Sequence, residues 1–387
     1  MSEKELDFAT IDSFELDDHL ILLQKNASRV QVLNPLASII WQLKKSGLDN
    51  LQIAKEISNV SNTHVEDTLK NIKSIHEQWM LDFSEPLDEK TELQETTPVI
   101  KLADWKAEIS IFLSFSSCTV RINVDSELIA EKVRQLFPSI QVVDIGLADI
   151  ELNVISNTKT YQIVKDNLVV EDTETESYTA LMVFHHVVDL VCKYKDWLVI
   201  LHASGVSWKG LGIVFPALGG SGKTTLSAAL IKQGFGYIND DVIPLLRNTG
   251  ELVHLATCLS IKSGSWSLLH SLYPELERLD IFGSKEPKVK YLPPPATDNQ
   301  LSTLYAKHII IPNYQVGATA ELEPLSPVMT LQAIIEGESL LHLPLNKKDI
   351  VDLIEWLTPL TCHRLTYDKL DAAVVVVRQF CMENDDG

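Results

Sequence analysis

Residues 215–230 read FPALGGSGKTTLSAAL. The stretch follows an apolar run, Leu211–Phe215, and precedes an apolar helical pattern. Strand, glycine turn and helix in that order are the setting of a phosphate-binding loop. The pattern for such a loop is G-x-x-x-x-G-K-[ST]. The aligned residues are Ala217, Leu218, Gly219, Gly220, Ser221, Gly222, Lys223 and Thr224, followed by Thr225. Glycines let backbone N–H groups turn inward around phosphate oxygens, and the helix start adds unpaired N–H groups and a positive dipole end. Lys223 is expected to reach the outer phosphates of ATP. Thr224 would ligate Mg²⁺, and Thr225 would add a phosphate contact. Ala217 stands where the first glycine is usual. It costs roughly 1 kcal/mol if that position needs positive φ, and little otherwise.

Downstream, YINDDVIPLL ends its first apolar run on Asn239, Asp240 and Asp241. Adjacent acids there suit one carboxylate that holds Mg²⁺ with Thr224, taken as Asp240, and one that takes a proton from an attacking hydroxyl. Strand alternation separates the two only if both lie inside the strand, so their roles stay open. Upstream, WLVIL ends at His202 of LHASG. A carboxylate beside that histidine would let it assist proton movement. WLVIL is expected to lie near the loop strand. Lys262, Lys288 and Lys290 are the candidates for extra phosphate charge. Lys288 and Lys290 lie two apart and would share one strand face.

The order LHASGV, GGSGKTTL, NDDV resembles the HPr serine kinase family and its phosphoenolpyruvate-carboxykinase-like relatives. The resemblance covers about residues 179–380 and implies an α/β P-loop kinase domain over residues 179–387. It implies ATP-dependent phosphorylation of a serine hydroxyl, with His202 and one of Asp240 and Asp241 acting at the transfer step. The later arginine-bearing motif tied to phosphorolysis is absent; KVKYLPPP (288–295) and HIIIPNYQ (308–315) stand there. Phosphorolysis and HPr itself as substrate are therefore not expected.

Residues 1–83 carry strands in FELDDHLILL and SRVQVLN, then three helical patterns: from Pro35, around LQIAKEIS, and from about His64 to Met80. VLNPLASIIWQL followed by DNLQIAKEI resembles the PqqD family, small winged-helix modules that bind leader peptides of ribosomally made peptides. That resemblance implies a peptide or small-protein substrate captured by residues 1–83. Residues 84–99, polar and acidic, are expected to be a linker. Residues 100–178 alternate as a small α+β domain with no chemical constellation. Residues 326–356 and 368–382 read as C-terminal helices of the kinase domain.

The chain has 387 residues and a net charge of −20. That charge disfavours nucleic acid and anionic membrane as partners. Five cysteines without a C-x-x-C pair point to a reducing compartment. The acidic N-terminus has no apolar core of the signal-peptide kind. A cytoplasmic protein is expected. Homo-oligomers are implied by the kinase resemblance only. A kinase of a small hydroxylated metabolite, or a non-catalytic nucleotide-dependent interaction protein, are the other readings of the same residues.

Overall fold

The amphipathic patterns at the N-terminus close over a core of their own. In the computed structural model, residues 6–24, 29–84, 105–143, 146–283, 287–295, 304–337, 340–341 and 345–384 are described. Ile11–Leu16 and His19–Gln24 pair antiparallel, and Val30–Leu33 adds to the second of them. FELDDHLILL, expected as one strand, is thus a hairpin. Its turn uses Asp17 at φ 53°, a left-handed conformation that aspartate tolerates better than most residues. Helix Pro35–Lys45 starts under an Asn34 cap, and Asn50–Ser61 under an Asp49–Gln52 capping box. Val65–Ser84 is the third helix. Leu22, Ile40, Trp41, Ile53, Ile72 and Trp79 form the core, with the two indoles edge to face at 5.1 Å. Each such side chain contributes roughly 1.5–3 kcal/mol by leaving water.

Two compact units divide the chain. The first holds residues 1–95 together with 326–335 and 342–359. Two helices expected in the C-terminal domain, Pro327–Glu336 (up to residue 335) and Lys347–Leu357, therefore belong with the N-terminal residues. Lys347–Leu357 touches strand Ile11–Leu16. Apart from Ser84, which ends a helix, the expected linker lies outside the described residues.

The second unit holds residues 96–325, 336–341 and 360–387. The expected boundary at 178/179 falls inside it. Helix Glu176–Tyr194 packs on helix Glu127–Leu136 and on strands Tyr161–Lys165 and Leu168–Thr173, so it forms one layer over the strands before it. Those strands belong to a six-stranded sheet. The second sheet of this unit has ten strands. Across it run Gly236–Asn239, Ala203–Trp208, the loop strand Leu211–Pro216 and the long strand Leu304–Tyr314. Leu304–Tyr314 runs parallel to the loop strand. Its first residues pair with Glu251–Leu252, and its last seven pair in parallel with Thr361–Tyr367. One long strand thereby connects the loop strand to two different neighbours.

WLVIL does not lie beside the loop strand. Trp197–Leu201 pairs with Ile243–Leu246 and Leu340–Leu341. The next strand, Ala203–Trp208, is the loop strand's neighbour, from Ala203↔Pro216 to Trp208↔Leu211. The hairpin between them turns at Lys209 and Gly210, both at positive φ, the geometry that matches strand twist. Among the described residues, no helix is long and apolar enough to cross a membrane.

Candidate active site

The loop strand is buried from Gly212 to Pro216, and it ends where the chain must turn sharply into helix Lys223–Ile231. Gly220 at φ +87° and Gly222 at φ +93° make that turn. Gly222 caps the helix in the left-handed region, and a Cβ there would come 2.5 Å from the Tyr367 hydroxyl. Open space surrounds Gly219 and Gly220, so the loop backbone is accessible. Ala217 is buried and is not at positive φ. Its methyl group therefore carries no backbone penalty, which answers the question its sequence position raises. The helix is apolar on nearly every side because it packs against strand Ala203–Trp208, strand Leu259–Lys262 and helix Leu370–Glu383.

Ser221 Oγ, in the middle of the loop, is buried without a hydrogen-bond partner. An orphaned hydroxyl costs about 1–3 kcal/mol, and an incoming acceptor would satisfy it. Lys223 is buried and folds back over the loop. Its ammonium donates to the carbonyls of Ala217 at 2.5 Å and Leu218 at 3.1 Å. Burial lowers its pKa to about 8, partly offset by the Asp241 and Asp240 charges.

Asp240 and Asp241 are not inside a strand. Gly236–Asn239 stops before them, Ile243–Leu246 begins after them, and Asp241 takes φ 64°. This kink overrides strand alternation and brings both carboxylates to one hydroxyl, Ser260 Oγ, at 2.9 Å from Asp240 and 2.5 Å from Asp241. A serine hydroxyl has one hydrogen and donates to one of them at a time.

The two acids differ sharply in surroundings. Asp240 is buried and accepts hydrogen bonds from Ser204 Oγ, from Thr224 Oγ1 at 2.9 Å, and from the Ser260 N–H at 2.8 Å. Burial and the neighbouring Asp241 push its pKa up to about 6, against those hydrogen bonds. The Asp241 side chain is 44% exposed and lines the cleft beside the loop. His202 Nε2 lies 4.0 Å from Asp241 Oδ1, an ion-pair distance and too long for a hydrogen bond. Burial and the Lys223 charge lower the His202 pKa against the pull of Asp241, which favours the neutral ring.

The cleft has a volume of about 520 Å³ and runs from Gly220–Thr225, Asp241 and Ser260 towards Lys262 and Tyr314. That volume lies within the range of small-molecule sites. Lys288 and Lys290 do not line it. Lys290 is buried elsewhere, donating to the Leu276 carbonyl at 2.5 Å with its ammonium 4.8 Å from the Trp266 ring centre. Lys288 directly precedes strand Val289–Leu292 and is exposed, whereas Lys290 is buried, so the two lysines do not act together in the cleft. Of the three lysines expected to add phosphate charge, Lys262, which pairs with Val289 across a two-stranded antiparallel sheet, lines the cleft. Thr225 lines the cleft, yet its hydroxyl is bonded to Ser265 Oγ at 2.6 Å.

No known family model matches the chain, and no curated protein matches it either. The site's own chemistry carries the functional argument. Among the described residues, no group of three or more His, Cys, Asp or Glu is arranged to hold a metal ion. Mg²⁺ does not require one, because it is usually held by one or two carboxylates together with substrate phosphates. Thr224 Oγ1 and Asp240, bonded to each other beside the loop, fit that donor set. No motif in the sequence marks Ser204, Ser260, Tyr314 or Tyr367 as part of the site. Ser204 lies two residues after His202. Ser260 lies 20 residues from Asp240, and nothing local marks it.

Proposed function

We propose that the chain is a Mg²⁺-dependent kinase that transfers the terminal phosphoryl group of ATP to a hydroxyl group. One observation carries this reading. Two adjacent carboxylates at the mouth of an accessible glycine loop are divided into a buried, hydroxyl-bound one and an exposed one facing the cleft. Hydrolysis needs a positioned water. Transfer needs instead an open face from which an acceptor hydroxyl can take the place of that water, and Asp241 lines such a face.

Gly219–Thr225 would surround the phosphates with backbone N–H groups, and Ser221 Oγ would gain the partner it lacks. Lys223 would leave the Ala217 and Leu218 carbonyls for phosphate oxygens, a stronger, charge-assisted interaction. Mg²⁺ would be held by Thr224 and Asp240, and when bound it neutralises charge on the phosphates. The acceptor oxygen attacks the terminal phosphorus, the bond to the leaving phosphate oxygen breaks, and Asp241 takes the hydroxyl proton. His202, favoured in its neutral form and 4.0 Å from Asp241, would have to close to hydrogen-bond distance to receive or return that proton.

A serine on a peptide or small protein is the acceptor we favour. The support is the resemblance of residues 1–83 to leader-binding modules, which would deliver a peptide to the cleft. The test is transfer of labelled terminal phosphate from ATP to serine peptides and to free hydroxylated metabolites. Wild-type protein is expected to label a peptide, and Lys223→Ala to abolish labelling. Full activity in Lys223→Ala overturns the loop assignment, and labelling of metabolites alone overturns the peptide acceptor.

A further inference from the structure

The ends of neighbouring strands lay out the cleft in a fixed order. Gly236–Asn239, the loop strand, Leu304–Tyr314 and Thr361–Tyr367 all run in the same direction. Their carboxyl ends therefore open at one edge of the sheet, where ligands of α/β proteins bind. Along that edge come Asp240 and Asp241, then His202 at the start of Ala203–Trp208, then the glycine loop, then Tyr314 and finally Tyr367. The reacting acids and the tyrosines lie on opposite sides of the phosphate cradle.

Tyr314 also projects beyond the loop strand. Val214 pairs with Ile309, while the long strand continues to Tyr314 with Thr361–Tyr367 paired to its last residues. Tyr314 is 56% exposed and lines the cleft. Tyr367 is buried beneath it and holds it edge to face at 6.0 Å. Partly buried Leu370, three residues after Tyr367, adds apolar surface to the cleft. Asp368, the residue after Tyr367, adds a carboxylate there. A carboxylate repels phosphate and accepts hydrogen bonds from hydroxyl or amino groups.

We propose that this end of the cleft is a nucleoside subsite, in which the base of the nucleotide stacks on Tyr314 and Asp368 accepts a hydrogen bond from the ribose or the base. The inference rests on the loop binding the nucleotide's phosphates. If the terminal phosphate faces Asp241 on one side of the loop, the nucleoside must leave on the other, and Tyr314 is the exposed aromatic surface on that side. A stack tolerates any base, so Tyr314 supplies affinity, and discrimination among bases falls to Asp368.

The experiment is calorimetric titration of the full chain with Mg²⁺ and three probes: ATP, inorganic tripolyphosphate and adenosine. Wild-type protein is expected to bind ATP at least about tenfold more tightly than tripolyphosphate, the scale of one aromatic stack. Tyr314→Ala should weaken ATP about tenfold and leave tripolyphosphate unchanged, whereas Tyr314→Phe should keep wild-type affinity for both. Tyr314 is exposed, so its truncation removes little core. Asp368→Asn should change the ratio of ATP to tripolyphosphate affinity and not tripolyphosphate binding. Equal affinities of wild-type protein for ATP and tripolyphosphate, or no effect of Tyr314→Ala on ATP, overturn the subsite and leave the phosphate loop standing. Absence of binding by both ATP and tripolyphosphate overturns the phosphate reading and this one together.

Discussion

Lys223 and Lys290 are both buried, and both turn their ammonium groups onto backbone carbonyls at 2.5 Å. Lys290 donates to Leu276 and Glu277 near the end of the short helix Pro274–Arg278, where carbonyls lack intrahelical partners and carry partial negative charge. The Trp266 ring centre lies 4.8 Å from its ammonium. Lys223 donates to carbonyls of the loop from which its own helix starts, beside an orphaned serine hydroxyl, two carboxylates and an open cleft. A buried lysine is therefore not a site by itself. What distinguishes Lys223 is space into which its charge can move, next to groups that are still unsatisfied.

The largest expected contrast follows directly. Lys223→Ala should lower phosphoryl transfer by about 10²–10³ or more, as loss of a preorganised charge at a transfer site does. Lys290→Ala should leave transfer nearly unchanged and lower stability by about 1–3 kcal/mol, because the Leu276 carbonyl loses its donor in a buried place. Transfer assays and denaturant titrations on both variants measure it. Equal loss of activity in the two would erase the distinction.

The acid pair gives the next effect. Asp241→Asn should reduce turnover by about 10²–10⁴ with nucleotide binding retained, as expected for loss of a general base. Asp240→Asn should raise the Mg²⁺ concentration needed for half-maximal activity, since that side chain is bonded to Thr224. A Mg²⁺ titration of each variant separates the roles, and the reverse pattern would exchange them.

Changing pH sharpens the comparison further. The Lys223 charge is lost as pH rises through about 8, and the Asp240 charge as pH falls through about 6. Transfer efficiency should therefore peak between those values and fall on both sides. Stability has its own sign. The folded pKa of Asp240 lies above the unfolded value of about 3.9, so its contribution is full below that value and lost as pH rises through about 6. Asp240→Asn should flatten the change in melting temperature between about pH 4 and pH 6. An unchanged slope would show that Asp240 is not the group responsible.

The smallest effect is expected at Ala217. Its φ is not positive, so Ala217→Gly should not tighten nucleotide binding and should cost about 0.5–1 kcal/mol of stability through added backbone freedom. Tighter ATP binding in that variant would mean that the alanine strains the loop.

Features set by neighbouring residues were legible in the chain. The glycine turn into the helix after Gly222 and the turn at Lys209-Gly210 follow from backbone freedom, and the helix from Pro35 follows from the Asn34 cap and proline's fixed φ. Other features depended on residues far apart. FELDDHLILL reads as one apolar strand until its two halves are seen to pair. Lys288 and Lys290 look like a shared strand face until the helix after Tyr273 is found to take Lys290 for itself. Lys347–Leu357 reads as a helix anywhere in the chain, and only its contact with Ile11–Leu16 decides which unit it joins.

By itself, then, the sequence determined the local machinery: a loop able to turn its N–H groups inward, a lysine and threonines at its end, and two acids downstream. Tertiary structure alone decided how that machinery is divided. It buried Asp240 among Ser204, Thr224 and Ser260 and left Asp241 open to the cleft. It placed the acids and Tyr314 on opposite sides of the loop. Backbone conformation is governed by adjacent residues, whereas burial and charge environment are set by whichever strands the fold brings together.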